Sequence, residues 1–414
     1  MTEVESSGNF ARLRAFHRDP LGFFQNLERR YGSAVSFRMG PWRFFLLTDP
    51  SRVGQVLAHH RPFFHKGPGL DPKNPLIGRG LLTSEDENWV TQRRHLAPVF
   101  SGANVRHMTP TLHAIIHREL DRWTIDEPFD LEERLLHLSL TLVVRTLFSD
   151  DTADQKDIEA AGQAVKWLMA HFYHRSRSVW RFPYHVPGFN RRYHLKERIL
   201  HRFINNLKPR PRPFETVWPH LSDDSGKRLE EAATLVIAGY ETTGHAMAWA
   251  LHQLAQYPEV EEAVRTEGED ENNRSWTEAV LKESLRLFPP VWLLSRRAVQ
   301  RGSFENLEIP DESLVLICPW LMHRNPEFFP NPDTFDPERW LNPPTLPPYA
   351  FIPFGAGPRR CIGEHLALKE AGLVVSEILK RFQIEPRDAH PAVFPGLTLA
   401  SQDGLWVTVR PRSQ

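Results

Sequence analysis

The chain is 414 residues long, with 51 basic and 51 acidic side chains and so no formal net charge. That balance excludes the global basic field used to bind nucleic acid, and 41% hydrophobic with 11% aromatic residues excludes wholesale disorder. Two cysteines, Cys318 and Cys361, are too few for a disulfide framework or a four-thiolate zinc site. Free thiols in an intracellular chain are therefore expected. Residues 1–31 hold no apolar run of signal-peptide or membrane-span length, so a cytoplasmic protein without an encoded anchor is expected.

The spacing from Pro20 to Tyr31 predicts a short amphipathic helix. Two alternating runs follow, Ala34–Arg38 and Arg43–Thr48, separated by Gly40-Pro41 as in a hairpin. Asp49-Pro50-Ser51 opens a helix ending near His60, and the Gly- and Pro-rich stretch from Lys66 to Leu82 reads as loop. A helical pattern then runs, with breaks, from Glu85 to about Leu207. Within it, residues 131–148 carry a leucine-rich face suited to the core. Residues 167–204 combine Trp167, Phe172, Tyr173, Trp180, Phe182, Tyr184, Phe189, Tyr193 and Phe203 with many arginines and histidines. A long helix is expected over Lys227–Tyr257 and a shorter one over Thr277–Leu287, stopped by Pro289-Pro290. Leu314–Ile317 reads as a strand, and a helix is expected from just after Cys361 to about Phe382. In the tail, Leu397–Val409, the Gln402-Asp403-Gly404 turn between apolar runs predicts a hairpin. The expected fold is mainly α with a small β-sheet region, in one large domain over residues 1–414. Its β-rich parts are expected near 34–48, 288–318 and 395–410.

The densest chemical signal is Phe354-Gly355-Ala356-Gly357-Pro358-Arg359-Arg360-Cys361-Ile362-Gly363. Small residues let backbone bend closely around a thiol. A helix starting just beyond Cys361 would aim amide donors and its dipole at the sulfur, and Arg359 and Arg360 add positive charge; both favour the thiolate. A lone cysteine in a glycine-rich loop reads first as a buried structural residue. The whole pattern FxxGxRxCxG is far more specific, and it resembles the haem-binding loop of the cytochrome P450 family. The resemblance implies a P450 fold around haem b (iron protoporphyrin IX), with Cys361 as the proximal thiolate ligand of the iron. It places Phe354 and Gly363 by the macrocycle and pairs Arg359 with a propionate.

Further segments resemble the family in the same chain order, over roughly residues 20–410. Trp89 and Arg93, at i and i+4, match WxxxR, whose two side chains reach a propionate. Glu283-Ser284-Leu285-Arg286 matches ExxR, with both ionic groups on one helix face. The resemblance joins them to Arg339 in a structural lock on the cysteine loop. Arg296 stands where the family has another propionate-binding arginine, next to Arg297. His323 is expected to be a hydrogen-bonded structural group.

Ala238-Gly239-Tyr240-Glu241-Thr242-Thr243 lies inside the long helix. Gly239 is expected to open the helix locally, and the Thr242 hydroxyl can bond back to the Ala238 carbonyl. The segment resembles the family's oxygen-activating helix. There Ala238 and Gly239 border the haem, and Glu241 and Thr242 are the acid–alcohol pair that delivers protons. Relatives that consume peroxide often lack that pair.

The resemblance also places a substrate pocket at Leu70, Leu76, Ile77, Leu81, Trp167, Phe172, Val291, Trp292, Leu293, Leu294 and Leu399. An apolar lining implies a lipophilic small molecule. The runs Gly78–Thr83 and Pro289–Arg297 are similar to a compact bacterial subgroup that includes hydroxylases of carotenoid β-ionone rings. Carotenoid hydroxylation is the lead expectation, against fatty acids and terpenoids, with peroxide-driven and non-catalytic haem proteins as rival classes. No reductase domain or flavin motif is encoded, so electrons are expected from a ferredoxin and its NAD(P)H-dependent reductase. Arg93, Arg94, Arg106, Arg360 and Lys369 could form a basic face for that partner. No nucleic-acid partner is expected. The 167–204 block reads as lid helices with basic solvent faces or as a peripheral membrane contact.

Overall fold

In the computed structural model, residues 2–4, 9–68, 70, 77–177, 190–267, 275–304, 307–343 and 345–412 are described. The chain starts with β1 (Thr2–Glu3) and α1 (Asn9–Arg18) and then α2 (Pro20–Tyr31). Asp19 caps α2 by accepting the Gly22 amide, with Pro20 at the first helical position. β2 (Ala34–Met39) and β3 (Trp42–Leu47) form the expected antiparallel hairpin. Asp49 caps α3 (Pro50–Gly54), which a π-helical turn, Gln55–His59, continues before β4 (Phe64–Lys66). The helical stretch comprises α4 (Asp86–Leu96), α5 (Gly102–Leu120), α6 (Leu131–Thr146), α7 (Gln155–Arg177) and α8 (Arg191–Asn206), with β5 (Phe129–Asp130) before α6. The long α9 (Ser225–Leu254), capped by Asp224, is followed by α10 (Pro258–Thr266) and α11 (Trp276–Leu287). Strands β6 (Leu294–Ala298), β7 (Gly302–Phe304), β8 (Leu307–Ile309) and β9 (Leu314–Ile317) precede the short α12 (Pro319–Met322) and α13 (Glu338–Leu341). The chain closes with α14 (Glu364–Arg381), β10 (Phe382–Pro386), β11 (Val393–Pro395), β12 (Leu399–Ser401) and β13 (Trp406–Pro411).

The chain's internal contacts form two compact units. One holds residues 1–71, 286–334 and 344–361. Its sheet runs β1-β2-β3-β9-β6-β4, with β3 parallel to β9 and β6 antiparallel to both β9 and β4. Phe45, Leu47, Val53, Leu57, Phe64, Val315, Ile317 and Ile352 form its apolar core. The register sets Lys66 opposite Arg296 on neighbouring strands.

The other unit holds residues 72–285, 335–343 and 362–414. Its centre is α6 against α9, and the leucine-rich stretch is core as expected: Leu135, Leu138, Leu140 and Leu142 are buried. The helices approach closely where side chains are smallest. A Cβ on Gly244 would lie 3.0 Å from the Leu136 Cα, and one on Gly239 would lie 2.7 Å from Val143 Cγ2. A small sheet, β10-β13-β5, and the hairpin β11–β12 complete it.

The tail differs from its sequence reading. The hairpin is shorter and spans residues 393–401, while residues 402–405 carry the chain from β12 to β13 in a different sheet. Gln402-Asp403-Gly404 is a true turn signal, but the strands on its two sides pair with other partners. Trp180, Phe182, Tyr184 and Phe189 of the aromatic block lie outside the described residues. No helix among the described residues is long and apolar enough to cross a membrane.

Candidate active site

The cysteine loop is built by backbone geometry only glycine adopts with ease. Gly355 and Gly357 have φ of +70° and +68°. A Cβ on Gly357 would run into the backbone of Leu57. The Gly355 amide donates to the Ile352 carbonyl at 3.0 Å, and the Cys361 amide to the Phe354 carbonyl at 2.9 Å. Cys361 is exposed, whereas Cys318 is fully buried and its thiol pKa is pushed up to about 12, chiefly by desolvation. No disulfide joins the two. The helix expected just after Cys361 begins only at Glu364, with Gly363 at its cap.

Positive charge gathers in the same unit. Lys66 is buried, and its pKa falls to about 6 through desolvation and then repulsion from Arg359 and Arg296. Desolvation lowers Arg296 to about 10, and its Nη1 donates to the Ser295 carbonyl at 2.9 Å. Strand alternation separates the two adjacent arginines: Arg297 faces away and lies 3.6 Å from Glu312.

The ExxR segment is fully buried at both ends. Glu283 accepts the Asp336 amide at 2.9 Å, Arg339 Nε at 3.1 Å and the indole N–H of Trp340 at 2.8 Å. Arg286 donates to the carbonyls of His323 at 2.9 Å and Thr334 at 3.0 Å, and its guanidinium lies 5.4 Å from the Phe329 ring centroid. The ring of His323 accepts the Ile352 amide at 2.9 Å, the structural role expected of it. Arg286 thereby braces the backbone leading into the cysteine loop.

In the other unit, Thr242 Oγ1 donates to the Ala238 carbonyl at 2.6 Å, the bond expected from sequence. The helix is not opened by Gly239, however: α9 is helical from Ser225 to Leu254. Gly239 instead lets α6 pack close, and its carbonyl accepts the Ser139 hydroxyl at 2.8 Å. Glu241 is buried, and its carboxyl accepts Thr398 Oγ1 at 3.0 Å. Burial raises its pKa to about 7, with Glu132 pushing the same way and Thr398 and Lys166 opposing. Trp89 is buried on α4, with the Arg93 guanidinium 5.7 Å from its ring centroid.

Residues 4–210 and 224–405 match the family model described as Cytochrome P450. The chain belongs to the cytochrome P450 family. This P450 is 31% identical over 416 residues to the cyclooctat-9-en-7-ol 5-monooxygenase of Streptomyces melanosporofaciens, covering 93% of this chain and 88% of that one. Pentalenene oxygenase of Streptomyces avermitilis is 27% identical over 395 residues, covering 89% and 87%. Among solved structures, CYP175A1 of Thermus thermophilus superposes with a TM-score of 0.85 at 26% identity, covering 99% of this chain and all of that one. The fold is mainly helical with small sheets, as expected, and the enzyme is a P450 monooxygenase.

The residues of this P450 fit a haem. An exposed thiol stands in a glycine-shaped loop, and Lys66, Arg296 and Arg359 crowd like charge into a desolvated setting that the two propionates would neutralise. Lys66 escaped the sequence reading because it stands at the edge of a loop-like stretch; only strand pairing reveals its place. Thr398 and Glu132 were missed too, since a threonine in a tail and a first-turn glutamate read as ordinary surface residues.

The expected substrate residues are spread over several elements. Ile77, Leu81 and Leu399 are buried, and Trp292 is buried beside Phe24 with ring centroids 6.3 Å apart. Leu70, Val291, Leu293, Leu294 and Phe172 are half-buried. Trp167 stacks on His171 at 5.1 Å. Leu76 lies outside the described residues.

Proposed function

We propose that this P450 inserts one oxygen atom of O2 into a C–H bond of a lipophilic isoprenoid, with the β-ionone ring of a carotenoid as lead substrate. The 414 residues act as one catalytic domain. Cys361 would hold the iron of haem b as its thiolate ligand, and Trp89, Arg93, Arg296 and Arg359, joined by Lys66, would hold the propionates. Phe354, Gly363, Ala238 and Gly239 would border the macrocycle, and Glu283, Arg286 and Arg339 keep the loop in shape. Bound haem supplies the redox chemistry of the balanced reaction R–H + O2 + 2 electrons + 2 protons → R–OH + H2O.

The observation that carries the oxygenase reading is the intact Glu241–Thr242 pair. That reaction consumes two protons, and the buried Glu241 carboxyl, half protonated near neutrality, can release one and take up another within a turnover. The Thr242 hydroxyl, fixed on the Ala238 carbonyl, has one direction for its proton and a free lone pair. A peroxide-driven enzyme or a haem sensor would not need this pair.

Two observations support the substrate class. The candidate lining is apolar and aromatic, and two relatives carry the ring compounds cyclooctat-9-en-7-ol and pentalenene in their names. A spin-state titration of the ferric enzyme, read by magnetic resonance, tests it with β-carotene, a cyclic terpenoid alcohol and a long-chain fatty acid. A carotenoid-specific move from low to high spin is expected. A response only to the terpenoid or the fatty acid overturns the carotenoid assignment and names its replacement.

Electrons come from a ferredoxin and its NAD(P)H-dependent reductase. Arg94, Arg106, Arg360 and Lys369 are exposed, and Arg93 is partly so, as a docking face for an acidic partner requires. Ferredoxin-driven turnover is expected to fall as salt rises and on charge reversal at Arg106 and Lys369. Turnover indifferent to both rejects that face. The enzyme is assigned to the cytoplasm.

A further inference from the structure

Behind Glu241, three more polar side chains are buried where α6, α9 and the hairpin β11–β12 meet. Glu132, in the first turn of α6, accepts the Ser401 amide on Oε1 at 3.0 Å and the Ser401 hydroxyl on Oε2 at 2.6 Å. His245, four residues after Glu241 on α9, points Nε2 at Glu132 Oε1 from 3.7 Å. Its Nδ1 is buried with no hydrogen-bond partner among the described residues. Thr398, three residues before Ser401 on the same hairpin, holds Glu241. One short hairpin thus grips two buried carboxyls, one from each helix, and an imidazole lies beside Glu132.

We propose that Glu132 is a positioning residue for oxygenation: its charge state sets that of Glu241, and the hairpin fixes the geometry of both carboxyls through Ser401 and Thr398. The proposal rests on the oxygenase reading.

The electrostatics agree with this geometry. Burial raises both carboxyls to about 7, and each disfavours ionisation nearby: Glu132 acts on Glu241, and both act on Tyr240. Two like charges so placed resist ionising together, and such a pair releases its protons in two steps. Burial drives His245 down to about 3, so the imidazole beside Glu132 is neutral and adds no charge to the pair. The other charged or titratable groups acting on the cluster are Lys166 of α7, Asp130 just before α6, and Glu133 and Tyr240.

Infrared pH titration of the substrate-free ferric holoenzyme tests the pair through the carbonyl stretch of protonated carboxyls. Three buried carboxyls should titrate around neutrality, those of Glu132, Glu241 and Glu370. Glu132→Gln should remove one and lower the Glu241 midpoint by about one pH unit, because a like charge is gone, while the Glu370 midpoint stays put. Glu132→Asp should restore part of that shift. Ser401→Ala, which deletes only a hydroxyl, should raise the Glu132 midpoint and move Glu241 with it. With an oxidisable substrate, Glu132→Gln should lower kcat about tenfold and enlarge the solvent isotope effect, leaving the spin-state Kd unchanged. A Glu241 carboxyl that titrates identically in wild type, Glu132→Gln and Ser401→Ala overturns the proposal. Failure of the wild-type enzyme to oxygenate any lipophile would instead strike the oxygenase reading, and the infrared result would still stand.

Discussion

Glu241 keeps its carboxyl in the interior with one hydroxyl donor, Thr398, on Oε2. Its native pKa of about 7 lies above the ordinary 4.5, so between those values the folded state binds more protons than the unfolded one. Stability therefore falls as pH rises through that window and stays lower above it. Glu241→Gln keeps the shape and removes the charge. It should stabilise the protein at pH 8 by about 1–3 kcal/mol relative to pH 5, read as the change in urea midpoint, while lowering turnover. Thr242→Ala removes the bond to the Ala238 carbonyl. It should leave the substrate-induced spin shift intact and divert electrons into peroxide, lowering product formed per NAD(P)H several-fold. The motif made Glu241 and Thr242 legible in the sequence. It gave no hint of Glu132 or Lys66, because their chemistry comes from burial and from neighbours more than a hundred residues away in the chain.

Among the elements, the cysteine loop tolerates little change. Gly357 combines a left-handed backbone with direct proximity to the Leu57 backbone, so Gly357→Ala is strained by both terms. The variant should lose about 2–4 kcal/mol of stability and retain haem poorly, measured as the ratio of haem absorbance to protein. Elements with their own start and stop chemistry were readable from the residues: Asp19-Pro20 for α2, Asp49-Pro50 for α3, and the β2–β3 hairpin. Elements whose partners are distant were not. The turn at Gln402-Asp403-Gly404 is real, yet β13 pairs with β10 and β5, which local sequence cannot encode. Gly239 likewise reads as a helix-opener by propensity, but the close approach of α6 decides its role.

For the molecule as a whole, the loss of haem should change how stability responds to pH. Lys66 has a native pKa of about 6 against an ordinary 10.5, so the haem-free folded state binds fewer protons than the unfolded state across that interval. Stability of the haem-free chain should rise with pH from about 6 towards 10 through this group. With propionates bound, Lys66 is held charged, and that rise should flatten. Paired urea titrations of the haem-free and haem-loaded protein at pH 6.5 and 9 check this. Equal slopes in both forms would show that Lys66 does not face the cofactor.

The unlike fates of the two thiols also turn the protein into its own gauge of cofactor loading. Cys318 is sealed in the core and resists ionising, so an alkylating reagent should pass it by in the folded chain. Cys361 is open to solvent and should take up one equivalent, unless iron already holds its sulfur. The mass of a briefly alkylated sample would then count, molecule by molecule, how much of a preparation had acquired its haem.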